Sequence, residues 1–261
     1  MLKAAAAVGG LATFLTLPEA AENRMLREAF NSHAPLYKMP RLASIILPTL
    51  NEEKNIHVAL TSLAGQNVRV AHPERFELIV VDSRSADRTA EIAGRYADRV
   101  YTAPRGKLTA RDLGVKAAKG EVVVAVDADT YYPPNFLNLL LRHFQRPEVV
   151  AVAGARTYPS YPHRYFSAWS NLLGICRLNG QSSAFRRDAY FKTGGFNLAV
   201  NQFYGPNIQQ EEEFNFYAKL SRFGKVVFDR KAAAITSDRR FTDREFQEQI
   251  ASGVRFKQRK N

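Results

Sequence analysis

Short runs of β-branched and aliphatic residues alternate with stretches of helical periodicity through the first half of the chain. Ser44-Ile45-Ile46-Leu47-Pro48 reads as a buried strand, followed by a helix from Glu52 to Ala64. Leu78-Ile79-Val80-Val81 is a second strand that ends on Asp82, and Asp87 to Tyr96 is a helix capped by Ser85 or Asp87. A helix from about Leu108 to Ala118 stops at Gly120, and Val122 to Val126 forms a third strand that ends on Asp127. Three nearly continuous apolar strands separated by helices predict an α/β fold, a mostly parallel central sheet with helices on both faces. In such sheets ligands collect beyond the carboxyl ends of the strands. Here those ends carry Asp82, Asp127 and the segment Pro48-Thr49-Leu50-Asn51-Glu52.

The second half is less regular. It predicts a strand at Val149 to Ala153, an aromatic-rich stretch from Tyr158 to Trp169, a helix from Ser170 to Leu178, a strand from Gln181 to Phe185 and a helix from Glu211 to Phe223. Lys225 to Phe228 and Ala232 to Ile235 read as two separate strands, and Asp243 to Phe256 as a basic closing helix. Residues 1–40 read as an extension, 41–241 as the main domain and 242–261 as a basic tail. The apolar run Ala4 to Leu17 is shorter than the roughly 20 residues of a membrane span. It predicts a helix packed on the protein or lying at a membrane surface.

Composition narrows the class without naming a chemistry. With 261 residues, 46% hydrophobic and 24% charged, the chain is an ordinary globular protein, and its net charge of +12 predicts anionic company. Phosphorylated substrates, an anionic membrane surface and nucleic acid all qualify. A lone cysteine, Cys176, excludes an internal disulfide and fits a reducing cytosol. The five histidines form no close pair at metal-ligand spacing.

Asp127-Ala128-Asp129 is the segment with the clearest chemistry. At the end of a strand and in its turn, two carboxylates at this spacing can face one hard cation, and a cation bridging to a diphosphate neutralises charge on a leaving group. Spacing alone leaves a plain surface turn open; the preceding apolar strand favours the metal.

Four segments in order then resemble the family 2 glycosyltransferases of the GT-A fold: Ser44 to Glu53, Ile79 to Thr89, Gly106 to Arg111 and Val126 to Asp129. The resemblance spans about Leu42 to Phe241, with residues 41–130 as a nucleotide-binding half and 131–241 as an acceptor half. It implies a nucleotide-sugar donor linked through UDP or GDP, a divalent Mn2+ or Mg2+, and inversion at the sugar carbon. It assigns Pro48, Thr49, Leu50, Glu52, Asp82 and Ser83 to the nucleoside, and Gly106, Lys107 and Arg111 to the diphosphate. Asp127, Ala128 and Asp129 belong with donor and metal. Some relatives supply a His to the metal near the place of Thr236 to Phe241; this chain has no His there, and Asp238 is the candidate third ligand. Ser83 stands where many relatives carry a second acid, and Asp112 where an Asn is common. Lys107 and Arg111 are one helical turn apart, so both can face one anion.

The family's general base opens a late helix, and here Gln210-Glu211-Glu212-Glu213 occupies that place, with Glu213 at the usual position and Glu212 before it. Three adjacent acids leave the choice open. Ser182, Gly194, Gly195 and Phe196 resemble acceptor-side residues. Aromatic residues from Tyr158 to Trp169, the N-terminal apolar run and the basic tail fit two descriptions, a headgroup interface or a core helix with a solvated tail. The first predicts a cytoplasmic protein peripheral to an anionic membrane and a lipid-linked acceptor; a glycan acceptor also fits. Nucleotidyl transfer remains an alternative, but Pro48 to Glu53 lacks the glycine-rich loop that reading needs. A basic, non-catalytic nucleic-acid or membrane-binding module is the other alternative, and no nucleic-acid partner is expected.

Overall fold

Alternate residues of each apolar strand feed opposite faces of an eight-stranded sheet in the computed structural model of the chain, which describes residues 20–31, 35–37, 40–160, 163–173, 180–199 and 215–238. Ile45, Leu47, Leu78, Val80 and Val124 enter one core, and Ile46, Ile79, Val81 and Val123 the other. This is the two-residue period of strands buried on both faces. The strands are β1 (Ala43–Thr49), β2 (Phe76–Asp82), β3 (Arg99–Thr102), β4 (Val122–Val126), β5 (Thr130–Tyr131), β6 (Val149–Thr157), β7 (Ser182–Arg186) and β8 (Lys225–Thr236), in the order β3-β2-β1-β4-β7-β6-β8-β5. β1 to β4 are parallel, and β7 runs against both β4 and β6. Two reversals restore the direction, so β6 and β8 run with β1. The carboxyl ends of β1, β2, β4, β6 and β8 therefore share one edge.

The helices are α1 (20–30), α2 (Ile56–Ala64), α3 (Asn67–Ala71), α4 (Thr89–Ala93), α5 (Lys107–Ala117), α6 (Phe136–Leu141), α7 (His163–Leu173), α8 (Arg187–Lys192) and α9 (215–220). Ile56, Leu60, Val68 and Phe136 bring α2, α3 and α6 onto the first core. Leu108, Val115, Tyr190 and Phe216 bring α5, α8 and α9 onto the second. Outside β6 and β8, Met25 and Ala29 of α1 pack on Ala155 and Ala233.

Several elements differ from their sequence expectation, each for a local reason. The first helix starts at Ile56 and not Glu52, because Asn51 turns the chain with φ 54° and the Glu52 carbonyl accepts the N–H groups of Asn55 and Ile56. The helix expected from Ser170 lies earlier, taking up the aromatic stretch as α7; residues 174–179 lie outside the described residues. α6 escaped periodicity because all six of its residues are buried, leaving no polar face to mark it. The two strands expected at 225–228 and 232–235 are one strand, β8, with an irregularity: Gly154 pairs with Asp229 and Ala155 with Ala233. The N-terminal apolar run, the closing helix and Glu211 to Glu213 lie outside the described residues.

Asp229 holds that irregularity. It is 6% exposed, its Oδ2 accepts from Arg142 Nη2 at 2.8 Å and lies 2.7 Å from His143 Nε2, and its Oδ1 accepts the Lys231 N–H at 3.0 Å. Burial pushes the carboxyl up, but the His143 hydrogen bond and the Arg142 charge outweigh it and hold the group below the usual carboxylate range. A depressed folded value gives stability that is present above the ordinary Asp pKa and lost as pH falls through the lower folded one. Asp229→Ala strands the Arg142 charge, and should cost about 3–5 kcal/mol of unfolding free energy in urea at neutral pH. The gap between variant and wild type should shrink as the pH is lowered below about 4.

Candidate functional site

The turn after β4 is fixed by charge from beneath. Lys107 Nζ donates to Asp127 Oδ2 and Arg111 Nη2 to Asp127 Oδ1, both at 2.8 Å. Arg111 is 1% exposed and also donates to the Gly180 carbonyl at 2.8 Å. A Cβ on residue 180 would lie 2.0 Å from Arg111 Nη1, so only glycine admits the guanidinium in this place. Lys107 and Arg111 do face one anion, as their spacing predicts, but that anion is the Asp127 carboxylate.

A second anchor went unread in the sequence. The Tyr132 hydroxyl accepts the Asp127 N–H at 2.8 Å and donates to the Gln181 carbonyl at 2.9 Å, while the Tyr132 N–H donates to Ser62 Oγ at 3.1 Å. Complete burial, with the Asp127 charge adding to it, pushes the phenol well above its ordinary pKa, so it stays a donor. The turn is thereby tied to α2 on one side and to the approach of β7 on the other. No periodic signal marks a tyrosine five residues past Asp127, or the Gly180-Gln181 pair that receives these bonds.

Asp129 sits beyond this anchored part. Its carbonyl accepts the Ser237 N–H at 3.0 Å, and Thr130 Oγ1 lies 3.3 Å from its Oδ1. Both Asp127 oxygens are thus bonded to cations, while Asp129 follows at the carboxyl end of β4. Asp238 does not complete a cage. Pairing of β5 with β8 brings it near the turn, but its carboxylate accepts a hydrogen bond from Ser160, and no metal-binding group of three His, Cys, Asp or Glu forms among the described residues. Mg2+ commonly binds through one or two carboxylates plus substrate phosphates and waters. The donor set fits a cation of that kind.

The neighbouring strand ends form the other half of the edge. Asp82 accepts from the Ser85 N–H at 2.9 Å and from Ser85 Oγ, and the Ser83 N–H donates to the Thr49 carbonyl at 2.8 Å. Asn51 and Arg84 are the described non-glycine residues with positive φ, 54° and 62°. Asn51 Oδ1 accepts the Ala86 N–H at 2.9 Å, locking these two turns together. Strained backbone of this kind clusters at ligand-binding sites. Glu52 is buried, with its N–H on Thr89 Oγ1 at 2.7 Å and its carboxylate accepting from Asn55 at 2.9 Å. Pro48 lies in the sheet opposite Val81, Leu50 is exposed, and Gly106 precedes α5. Thr49 Oγ1 is buried and has no hydrogen-bond partner among the described residues. A buried hydroxyl left unpaired is costly until a ligand pairs it.

On the acceptor side, Ser182 pairs with Val126 across β4 and β7, and its Oγ donates to the Gly154 carbonyl at 3.1 Å. Gly194 and Gly195 follow α8, and Phe196 is buried, its ring 4.6 Å from that of Phe216. Tyr217 hydrogen-bonds Ser183 of β7. Phe196 thus belongs to the core cluster that anchors α9, the helix directly following Glu211 to Glu213.

Comparison with known proteins bears on the family and the fold. The family model described as "Glycosyl transferase family 2" matches residues 44–220. A 4,4'-diaponeurosporenoate glycosyltransferase of Staphylococcus haemolyticus is 30% identical over 151 residues, covering 54% of this chain and 39% of the relative. A dolichol-phosphate mannosyltransferase of Pyrococcus furiosus is 31% identical over 119 residues, covering 42% of this chain and 32% of the relative. The chain thus spans well under half the length of these curated relatives. Among solved structures, a mannosyltransferase from Pyrobaculum calidifontis in complex with GDP-Man and Mn2+ has the same fold, with a TM-score of 0.59 and 22% identity over 90% of this chain and 68% of that one. The TarS 1–349 fragment of S. aureus in complex with UDP superposes with a TM-score of 0.55 at 18% identity, over 82% of this chain and 65% of that one.

The two anchors differ in strength. Tyr132→Phe keeps the ring against Phe136 but removes the hydroxyl that bonds the Asp127 N–H and the Gln181 carbonyl, and should lower the unfolding free energy by about 1–3 kcal/mol. Arg111→Met removes a partner from a buried pair and should cost more, about 3–5 kcal/mol. Urea titration of both variants checks the order.

Proposed function

The chain belongs to glycosyl transferase family 2, and from that premise we propose that it transfers a sugar, with inversion, from a UDP- or GDP-linked donor to an acceptor hydroxyl. The observation that carries this reading is the division of labour in the turn, where Asp127 is clamped by Lys107 and Arg111 while Asp129 is held at the edge beside the β1 and β2 ends. Residues 41–130 serve the donor and 131–241 the acceptor. Thr49, with its unpaired hydroxyl, and Asp82 take the nucleoside, framed by Pro48, Leu50, Glu52 and Ser83. Lys107, with a side chain 24% exposed, is the cation that reaches a phosphate from Gly106, whereas buried Arg111 acts through Asp127.

A Mn2+ or Mg2+ ion at Asp129 would supply charge neutralisation for the departing diphosphate. The Pyrobaculum neighbour, complexed with GDP-Man and Mn2+, and the UDP complex of TarS support such a donor. One of Glu211, Glu212 and Glu213, with Glu213 at the family position, deprotonates the acceptor hydroxyl, so that its oxygen attacks the sugar carbon as the nucleoside diphosphate leaves. Ser182, Gly194 and Gly195 border the acceptor path. The dolichol-phosphate relative and the net charge of +12 support a lipid-linked acceptor met at an anionic cytoplasmic membrane face, with peripheral attachment. None of the described helices is long and apolar enough to cross a membrane.

A thermal-shift screen of UDP and GDP with Mn2+ or Mg2+ tests the site. A true product ligand at a hundred times its Kd should stabilise the wild type by about 2.7 kcal/mol, raising Tm. Asp129→Ala should lose the metal-dependent part of that rise, and an undiminished rise would sink the assignment. In turnover, release of nucleoside diphosphate is expected; pyrophosphate would overturn sugar transfer.

A further inference from the structure

The irregularity in β8 builds a second feature away from the aspartate turn. Between the pairs Gly154↔Asp229 and Ala155↔Ala233, three residues of β8 have no opposite number in β6. A Cβ on residue 154 would lie 2.2 Å from the Ala232 carbonyl, so glycine there lets the extra residues fold over the sheet. Bulges re-aim side chains, and here Arg230 and Lys231 are exposed at a cavity of about 510 Å³ between α1 and α7.

The walls of this cavity are mixed in a particular way. Met25, Ala168 and Leu172 give apolar surface, and Arg24 is a further exposed cation. Its two acids are already matched: Glu22 accepts from Arg164 at 3.0 Å and from Thr157, and Glu28 accepts from Lys231 at 3.2 Å. Among the described residues no acid pairs with exposed Arg24 or Arg230. Asn171, 3% exposed, also lines the cavity; its Nδ2 donates to the Arg156 carbonyl at 2.8 Å, and its Oδ1 has no hydrogen-bond partner among the described residues. That acceptor calls for a hydroxyl or N–H from a ligand. On α7, Phe166 and Leu173 stand 64% and 61% exposed, seven residues apart and so on one face of the helix.

We propose that this groove binds the headgroup of an anionic membrane lipid, with phosphate on Arg24 and Arg230, a headgroup hydroxyl on Asn171, and the alkyl chain along Met25, Ala168 and Leu172. Phe166 and Leu173 enter the bilayer beside it. The peripheral contact proposed above gains a defined site, and the inference rests on that reading.

Flotation of the full chain with phosphatidylcholine vesicles, with and without phosphatidylglycerol, tests it. The wild type should partition onto the anionic vesicles. Reversing two cations that touch the surface, Arg24→Glu with Arg230→Glu, should lower partitioning by about tenfold or more. Lys119→Glu with Lys225→Glu makes the same change in net charge at exposed positions elsewhere, and should lower it by far less. Equal losses in the two pairs, or none in the first, overturn the groove. Glycerol 3-phosphate at matched headgroup concentration should leave binding in place, since the apolar walls contribute; full competition overturns the lipid assignment. If the wild type ignores anionic vesicles, peripheral attachment itself fails. Thermal shift with UDP or GDP in the Arg24/Arg230 variant reports folding and donor binding separately, so the transfer reading stands or falls on its own.

Discussion

Burying Arg111 against Asp127 costs several kcal/mol of desolvation for each ion, and such a pair holds only where geometry and further hydrogen bonds offset that cost. Here they do. The guanidinium has a second acceptor in the Gly180 carbonyl, the carboxylate has a second cation in Lys107, and the Asp127 N–H is taken by Tyr132. The contact joins three separated stretches of sequence: helix α5, the end of β4 and the approach to β7. It sets the height of the turn on which Asp129 is carried.

The sheet order explains why such a joint is needed. β4 is the last of the four parallel strands, and its next neighbour is β7, which arrives antiparallel from far along the chain. Nothing in the local sequence of β4 fixes that neighbour at the level of the turn. Gly180 and Gln181, immediately before β7, supply the fixing carbonyls. Asp229 does similar work at β8, where Arg142 and His143 hold the strand through its irregularity.

What was legible in the sequence follows the physics of each signal. β1, β2 and β4 announce themselves because strands buried on both faces are continuous apolar runs, and their ends locate Thr49, Asp82 and Asp127 on one edge. Elements without contrast were lost: α6 is buried on all sides, β3 alternates between half-buried and exposed residues at the edge of the sheet, and β8 is interrupted by Asp229-Arg230-Lys231, which reads as a loop. Partners were harder than positions. Spacing correctly put Lys107 and Arg111 on one anion, but a helical turn on a sequence cannot say whether that anion comes from the protein or from a ligand.

That ambiguity has a structural resolution with a chemical consequence. The side chains of Lys107 and Arg111 share Asp127, yet one is 24% exposed and the other 2%. Arginine's planar fork can divide its donors between a carboxylate and a carbonyl in a dry site, whereas the lysine ammonium is a compact charge on a flexible stem, suited to the wet rim. Exchange of the two would leave the interior short of donors and the rim short of reach. The edge thus combines a buried ion pair, Arg111 with Asp127, a lysine at its rim, and a Thr49 hydroxyl that has no hydrogen-bond partner among the described residues. Charges fixed in advance by the fold need no reorganisation when new charge develops beside them, and the buried Arg111–Asp127 pair is what keeps these fixed.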